Sequence, residues 1–263
     1  MVKALFFDLD GTLVDGKHGV RTVYPEVQAE LRRIQSLGHK LFVATGRPHT
    51  MLTPDLFELG FDGFVMANGG HVEVGGKTVH LELMGLSEAR AAADLLERMG
   101  VEYTIDTAHH VYIRCEYGAL RNFFSHHHDI FTFDFDREDA LARAIKLEAF
   151  PTDAGRQAIR ERAAREIGPA VFCGDNGTGR TFEMYSPRLS KVTGIKKVLE
   201  SCGIAREDSY AFGDGDNDLA MIEYCGCGVA MGNATEAVKA GADVVCGAIN
   251  EGGLARALRE LFP

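Results

Sequence analysis

The stretch FFDLDGTLVD, residues 6–15, begins as an apolar run and continues into two acids that are one residue apart. Phe6 and Phe7 predict a buried strand, with Asp8 and Asp10 at its carboxyl end. Side chains two residues apart in an extended segment point to the same side, so both carboxylates are expected to crowd one place. Two like charges that close together are unfavourable unless a cation, a proton or a reaction requires them.

The composition is that of a globular protein with an acidic balance. The chain has 263 residues, 46% of them hydrophobic, and a formal net charge of -10. This length allows one large domain or two small ones, and the negative charge argues against nucleic acid as a partner. The sequence contains no apolar run of the roughly 20 residues that a membrane span needs, and we expect no secretory signal. The six cysteines follow no CxxC spacing, which predicts free thiols and a cytoplasmic location. The sequence does not indicate an oligomeric state.

Short apolar runs alternate with amphipathic segments over much of the chain. Six runs predict buried strands, at 4–10, 39–46, 62–70, 209–216, 226–233 and 242–248. Helices are expected between them, including 25–37, 192–202 and 219–224. This alternation predicts a parallel sheet with helices on both faces, in which ligands bind outside the carboxyl ends of the strands.

One long segment departs from this alternation. From about 81 to 185 we expect a helix at 87–99, strands at 101–106 and 110–115, a helix beginning near Gly118, a strand at 146–150, a helix at 153–167, and strands at 169–173 and 180–185. Helices beside hairpin strands predict an antiparallel sheet with helices on one face. The predicted organisation is therefore a core domain, 1–80 and 186–263, with an inserted α+β domain at 81–185.

Four separate segments place polar groups at the predicted binding edge of the sheet. They supply Asp8 and Asp10, Thr45 and Gly46 of ATGR, Lys191, and Asp214, Asn217 and Asp218 of GDGDND. Carboxylate oxygens suit magnesium, and hydroxyl, amide and ammonium groups suit phosphoryl oxygens. One carboxylate can act as a covalent nucleophile, and a second can protonate the leaving oxygen and then activate water. We therefore expect a divalent cation and a phosphoryl group between the two acids.

The motifs DLDGT, ATGR, Lys191 and GDGDND, in this order, resemble the four motifs of the haloacid dehalogenase superfamily of phosphohydrolases. The insert after VMANGG, together with MGNATEAVKAGADVV near the end, resembles the Cof-like branch with a large cap. In the cap the likeness is one of length and position only. The resemblance implies a Rossmann-like parallel-sheet core with an inserted α+β cap.

The resemblance also implies a role for each motif residue. Asp8 is the implied nucleophile and Asp10 the implied general acid and base. The implied ligands of Mg²⁺ are the Asp8 carboxylate, the Asp10 backbone carbonyl and Asp214. The implied phosphate contacts are the Leu9 amide, Thr45, Gly46, Lys191 and Asn217, with Asp218 orienting Lys191. The chain departs from the usual pattern at Val192, where the family has glycine, and in the preceding SPRLS.

Several polar residues outside these motifs have alternative interpretations. Arg47 is either a phosphate contact or the partner in a structural salt bridge, and Asn68 and Asn233 either line the cleft or cap turns. The GDNGTGRT stretch, 174–181, is one substitution from a phosphate-binding loop, but Asn-Gly between strands favours a hairpin turn. The run His126, His127 and His128 is more typical of a solvated patch than of a metal site.

The function predicted from these features is a magnesium-dependent phosphomonoester hydrolase that works through an aspartyl phosphate. By family likeness the substrate is a small phosphorylated metabolite, with a sugar phosphate favoured and phosphorylated cofactors as rivals. The alternatives are a phosphotransferase or mutase on the same core, or a binding protein without activity. Related dehalogenases and ion pumps generally lack an acid at the position of Asp10, so its presence favours ester hydrolysis.

Overall fold

The structure is a computed structural model that describes residues 1–115, 130–151, 153–175 and 181–263. The helix predicted to begin near Gly118, the three consecutive histidines and most of the GDNGTGRT stretch lie outside these residues. The chain forms two compact units. The first comprises Met1–Gly46, Leu52–His80 and Ser190–Pro263, and the second comprises Arg47–Met51 and Leu81–Leu189. No helix in the described part of the chain is both long and apolar enough to span a bilayer.

The strands and helices are named here in chain order. The strands are β1 Ala4–Phe7, β2 Lys40–Ala44, β3 Gly63–Met66, β4 His71–Val74, β5 Lys77–Leu81, β6 Tyr103–Asp106, β7 Val111–Arg114, β8 Phe131–Thr132, β9 Lys146–Ala149, β10 Phe172–Asp175, β11 Phe182–Tyr185, β12 Ser209–Gly213, β13 Cys227–Ala230 and β14 Val244–Val245. The helices are α1 Pro25–Ser36, α2 Pro54–Glu58, α3 Leu86–Arg98, α4 Arg137–Ala142, α5 Asp153–Glu166, α6 Lys191–Cys202, α7 Leu219–Tyr224, α8 Glu236–Gly241 and α9 Gly253–Leu261.

The first unit is built on one sheet in the order β14-β13-β12-β1-β2-β3-β4-β5. The six strands from β14 to β3 are parallel, as the sequence predicts. The sequence did not predict β4 and β5, which extend the sheet beyond β3, and β4 runs antiparallel to β3. Gly75 and Gly76 turn between them with φ of 58° and 73°, in the left-handed region that glycine reaches without strain.

The first strand, β1, lies in the middle of this sheet, between β12 and β2. All four of its side chains are buried. Phe6 stacks on Phe42 of β2 with ring centroids 5.2 Å apart, and Phe7 stacks on Phe212 of β12 at 4.8 Å. Burying one such aromatic side chain contributes about 2 kcal/mol. This packing holds the carboxyl end of β1 beside the ends of both neighbouring strands.

Helix α6 follows the second unit in the chain and begins with a well-formed cap. The Ser190 hydroxyl accepts from the Thr193 N–H, and the Thr193 hydroxyl accepts from the Ser190 N–H, which makes a capping box. A Cβ on Gly194 would lie 2.4 Å from a Val65 methyl carbon, so only glycine allows the helix to approach β3 this closely. The cap and the close packing fix the position of Lys191 in the first turn.

The second unit is built on a sheet in the order β10-β11-β9-β6-β7-β8. All of its strand pairs are antiparallel except β7 and β8, which are parallel and depart from the expected pattern. Helices α3, α4 and α5 share its apolar core with strand residues that include Tyr103 and Phe182. The predicted α+β arrangement, with a second sheet, is confirmed.

Further details of the second unit differ from the sequence prediction. Helix α4 was not predicted, although Asp136 caps it by accepting from the Asp139 N–H at 2.9 Å. The strand expected at 169–173 begins only at Phe172, because Gly168–Ala170 forms a 3-10 turn and Gly168 has a φ of 74°. Relative to the predicted insert, this unit also includes Arg47–Met51 and continues to Leu189.

Candidate active site

The carboxyl ends of β1 and β12 bring two acids and a lysine together. Phe7 is paired with Phe212, so Asp8 follows one strand beside the start of the GDGDND turn. The Lys191 ammonium donates to Asp8 Oδ1 at 2.5 Å and to Asp218 Oδ1 at 2.6 Å. All three side chains are buried. Lys191 and Asp8 are 183 positions apart in the chain, so only the fold creates this contact.

Asp218 is held by the backbone as well as by Lys191. Its second carboxylate oxygen accepts from the N–H groups of Asp214 and Gly215, both at 3.0 Å. A Cβ on Gly213 would lie 2.6 Å from the Asp218 Cβ, so the glycine makes room for the carboxylate. With both oxygens engaged, Asp218 is placed to hold Lys191 and the turn.

Asp214 is fixed from two sides. The Thr12 hydroxyl donates to Asp214 Oδ1 at 3.0 Å, and the Asn233 amide lies 3.3 Å from Oδ2. Sequence reasoning did not single out Thr12, although it is the last residue of the DLDGT motif. One carboxylate oxygen from each of Asp8, Asp214 and Asp218 lies within 4.8 Å of the other two. Hard oxygen donors this close together suit a divalent cation such as Mg²⁺.

Burial and mutual repulsion shift the pKa values of this cluster. Burial, followed by the charge of Asp218, raises the pKa of Asp8 well above its usual value. The same two causes raise the pKa of Asp214 to about 7. Burial alone would lower the pKa of Lys191, but the charges of Asp218 and Asp8 outweigh it and raise the pKa. A cation beside Asp8 and Asp214 would relieve the repulsion between their carboxylates, so the donor set fits a divalent ion.

Asp10 lies on the exposed side of the turn that follows β1. Gly11 follows with a φ of 95°, and its N–H donates to the Val14 carbonyl at 2.8 Å. The buried Leu9 closes the turn by accepting from the Leu13 N–H at 3.0 Å. The charge of Asp10 contributes to the raised pKa of Asp214, which places the two acids in the same electrostatic environment.

Thr45 and Gly46 lie at the end of β2, the strand next to β1. Thr45 is buried, and its carbonyl accepts from the Asn68 N–H at 3.1 Å. A Cβ on Gly46 would lie 3.1 Å from Asn68 Oδ1. Ala67 and Asn68 have φ of 47° and 54°, two successive non-glycine residues in the left-handed region. Strain of this kind costs on the order of 1–3 kcal/mol per residue and is concentrated at functional sites.

The three remaining candidate site residues, Asn217, Arg47 and Asn233, lie in different parts of the structure. Asn217 is exposed in the 3-10 turn Asp216–Asp218, beside the end of β12. Arg47 belongs to the second unit, where its guanidinium donates to the Met51 carbonyl at 3.3 Å. Asn233 directs its side chain to the loops around Asp214.

Comparison with known proteins gives the family of this fold and site. The sequence model of the haloacid dehalogenase-like hydrolases matches residues 5–258. The chain belongs to this family of enzymes. A protein of Bacillus subtilis named as a phosphatase, YkrA, is 32% identical over 98% of this chain and 97% of its own. A phosphoglycolate phosphatase of Methanopyrus kandleri is 31% identical over 100% of this chain and 98% of its own.

Solved structures agree with this assignment. A sugar phosphatase of haloacid dehalogenase subclass IIB, BT4131, superposes with a TM-score of 0.84, at 27% identity and over 99% of each chain. A haloacid dehalogenase-like hydrolase from Bacteroides thetaiotaomicron superposes with a TM-score of 0.88 at 22% identity, which supports the fold alone. The predicted family, the predicted α/β fold and the prediction of a phosphatase are confirmed.

Proposed function

We propose that this phosphatase is a magnesium-dependent phosphomonoester hydrolase with an aspartyl-phosphate intermediate. The observation that carries the proposal is the buried ion pair of Asp8 and Lys191 beside Asp214 and Asp218. Asp8 lies at the end of a central, rigid strand, which suits a nucleophile that must meet its target in one orientation.

The proposed reaction has two steps that use both acids of DLDGT. In the first step an Asp8 carboxylate oxygen attacks phosphorus, and the ester oxygen leaves with a proton from Asp10. In the second step Asp10 takes a proton from water, the water oxygen attacks phosphorus, and inorganic phosphate leaves Asp8. The Asp10 proton is therefore lost in the first step and recovered in the second.

The other motif residues have binding roles in this proposal. Mg²⁺, held by the Asp8 carboxylate, the Asp10 backbone carbonyl and Asp214, would offset the negative charge of acids and phosphate. Lys191, oriented by Asp218, would add positive charge at the nucleophile. The remaining proposed phosphate contacts are the Leu9 amide, Thr45, Gly46 and Asn217.

The proposed substrate is a small phosphate ester, and a sugar phosphate is favoured. The support is the full-length similarity to the sugar phosphatase BT4131 and to a phosphoglycolate phosphatase. Another relative, from Bacillus subtilis, is a 5-amino-6-(5-phospho-D-ribitylamino)uracil phosphatase at 28% identity, so a phosphorylated polyol chain is a further candidate. We further propose that the first unit carries the chemistry and the inserted 81–185 segment carries the selectivity among these esters.

The test is a screen of phosphorylated metabolites with the purified protein and Mg²⁺, ranked by kcat/KM. We expect hydrolysis that is lost in excess chelator, restored by Mg²⁺ and little restored by Ca²⁺. Full activity in excess chelator would contradict the proposed mechanism. A transferase would instead release little phosphate until an acceptor alcohol is supplied, so the same screen is repeated with and without acceptors.

A further inference from the structure

Asn233 uses every polar atom of its side chain on the loops around Asp214. Its Nδ2 donates to the Gly11 carbonyl at 2.9 Å and to Asp214 Oδ2 at 3.3 Å. Its Oδ1 accepts from the Ile249 N–H at 2.9 Å. An amide group has two N–H donors, and these contacts use both. Asn233 follows β13, and its side chain joins the turns that follow β1, β12 and β14.

The partners of Asn233 fix which way its amide points. The Ile249 N–H can only donate and the Gly11 carbonyl can only accept, so oxygen and nitrogen cannot exchange places without losing both bonds. The donor side of the amide therefore faces Asp214. This use of the side chain differs from lining a cleft, because no N–H remains to contact a substrate.

Asp214 is held at both carboxylate oxygens as a result. Thr12 holds Oδ1 and Asn233 holds Oδ2. The turn after β1 approaches Asp214 closely, since a Cβ on Gly11 would lie 2.1 Å from Asp214 Oδ2. Gly11 directly follows Asp10, so the bond from Asn233 to the Gly11 carbonyl also fixes the peptide next to the Asp10 carbonyl.

We propose that Asn233 is a positioning residue for the cation site, which orients the Asp214 carboxylate and the Asp10–Gly11 turn before the ion binds. This inference rests on the proposed function, because Asp214 and the Asp10 carbonyl are cation ligands only there. Asn233 does not touch the reacting atoms. Partners that orient metal ligands in this way are typically worth about 10- to 100-fold in metal affinity.

The experiment compares Asn233→Ala with Asn250→Ala, an exposed asparagine next to Ile249 in the same loop region. Mg²⁺ binding to the free protein is measured by calorimetry, and the Mg²⁺ dependence of p-nitrophenyl phosphate hydrolysis is measured separately. For Asn233→Ala we expect the Kd for Mg²⁺ and the half-saturating Mg²⁺ concentration to rise about 10- to 100-fold, with kcat at saturating Mg²⁺ little changed. Asn250→Ala should match the parent in both.

A merely structural role for Asn233 gives a different result. The variant would then melt at a lower temperature without Mg²⁺ but keep the parent Kd, and this outcome would overturn the inference while leaving the proposed function intact. A parent protein that binds no Mg²⁺ and hydrolyses no phosphate ester would overturn both. If Asn233→Ala does not fold, Asn233→Ser, which keeps one donor, is measured in the same way, and an intermediate rise in Kd is expected.

Discussion

Each unit of this molecule buries one lysine among three acids, yet the two clusters differ in place and chemistry. In the first unit Lys191 contacts Asp8 and Asp218 at the ends of parallel strands. In the second unit Lys146 of β9 donates to Glu183 Oε1 at 2.5 Å and lies 3.6 Å from Asp106 Oδ2. Glu148 completes the second cluster, with Oε2 3.8 Å from the Lys146 ammonium.

The difference lies in where the strands put the charges. The Lys146 cluster comes from one face of an antiparallel sheet, where Asp106 is paired with Lys146 and Thr104 with Glu148. Side chains of neighbouring strands satisfy one another there, as in the bond from Lys146 of β9 to Glu183 of β11. The Lys191 cluster lies instead where strands end, beside turns whose backbone can approach a ligand. Under the proposed function, the Lys191 cluster is therefore the reaction centre and the Lys146 cluster is part of the sheet.

The largest expected effect is the loss of hydrolysis when the proposed nucleophile is replaced, and it should occur in the first cluster and not in the second. Asp8→Asn should lose turnover of every phosphate ester, because no covalent intermediate can form on an amide. The measurement is steady-state and stopped-flow hydrolysis of p-nitrophenyl phosphate and of a sugar phosphate. The matched control is Asp106→Asn, the same change in the other cluster, which should keep p-nitrophenyl phosphate hydrolysis. Measurable turnover or a burst with Asp8→Asn would remove the proposed role.

The next largest effect is a change in the hydrolysis kinetics of Asp10→Asn that depends on the leaving group of the substrate. p-Nitrophenolate leaves without a proton, whereas a sugar alkoxide needs one. Asp10→Asn should therefore give a burst of nitrophenolate near one equivalent per site and then turn over slowly, because the second step still needs a base. The slow phase should fall by about 10²- to 10⁴-fold, the usual range for general acid–base catalysis.

With a sugar phosphate, Asp10→Asn should give neither a burst nor turnover. Rapid-quench measurement of the covalently bound phosphate checks both substrates on the same preparation. An Asp10→Asn variant that hydrolyses p-nitrophenyl phosphate at the parent rate would show that the acid has no such role.

The two lysines should differ in what their loss removes. Lys146→Met and Lys191→Met each leave buried acids without their cation, and breaking a buried ion pair typically costs about 3–5 kcal/mol of stability. Lys191→Met should also lose most hydrolysis, whereas Lys146→Met should retain p-nitrophenyl phosphate turnover below its lowered melting temperature. Thermal unfolding and kcat are measured on both variants. Equal losses of kcat in the two variants would contradict the contrast between the clusters.

The sequence predicted structure well at positions where the residue type has a single common structural role. Phe6 and Phe7 predicted a buried strand, which β1 confirms, and the acids directly after it gave the predicted place of the candidate site. Thr12 was missed because a hydroxyl in a turn has many local uses, and its bond to Asp214 spans 202 positions.

Other features of the fold depend on pairings that a single sequence does not display. The Gly75-Gly76 turn was a hairpin signal, but its flanking strands alternate weakly and β5 is mostly exposed. The Lys146 cluster depends on the register of β6, β9 and β11, and neither hydrophobic pattern nor motif reports a register between distant strands.

The smallest expected effect is the part of the pH dependence of stability that Asp106 contributes in the second cluster, beside the contributions of Asp8 and Asp214 in the first. Burial, together with the charges of Glu148 and Glu183, raises the pKa of Asp106 to about 7 against the opposing attraction of Lys146. Between the ordinary pKa of an aspartate and 7 the folded chain keeps this proton and the unfolded chain loses it. Stability should therefore fall as pH rises through this window, by at most about 1.4 kcal/mol per pH unit, and change no further above it.

Asp106→Asn keeps the shape of the protonated acid and cannot ionise, so it should remove the part of the slope that Asp106 contributes. Its stability relative to the parent should increase from pH 4 to pH 7 and then level off, as measured by urea unfolding followed by circular dichroism. Asp136→Asn, the same change at an exposed helix cap of this unit, reports what the substitution does outside the cluster. Parent and Asp106→Asn curves that run parallel over this range would mean that Lys146 keeps Asp106 ionised, and that this cluster is an ordinary ion pair at every pH tested.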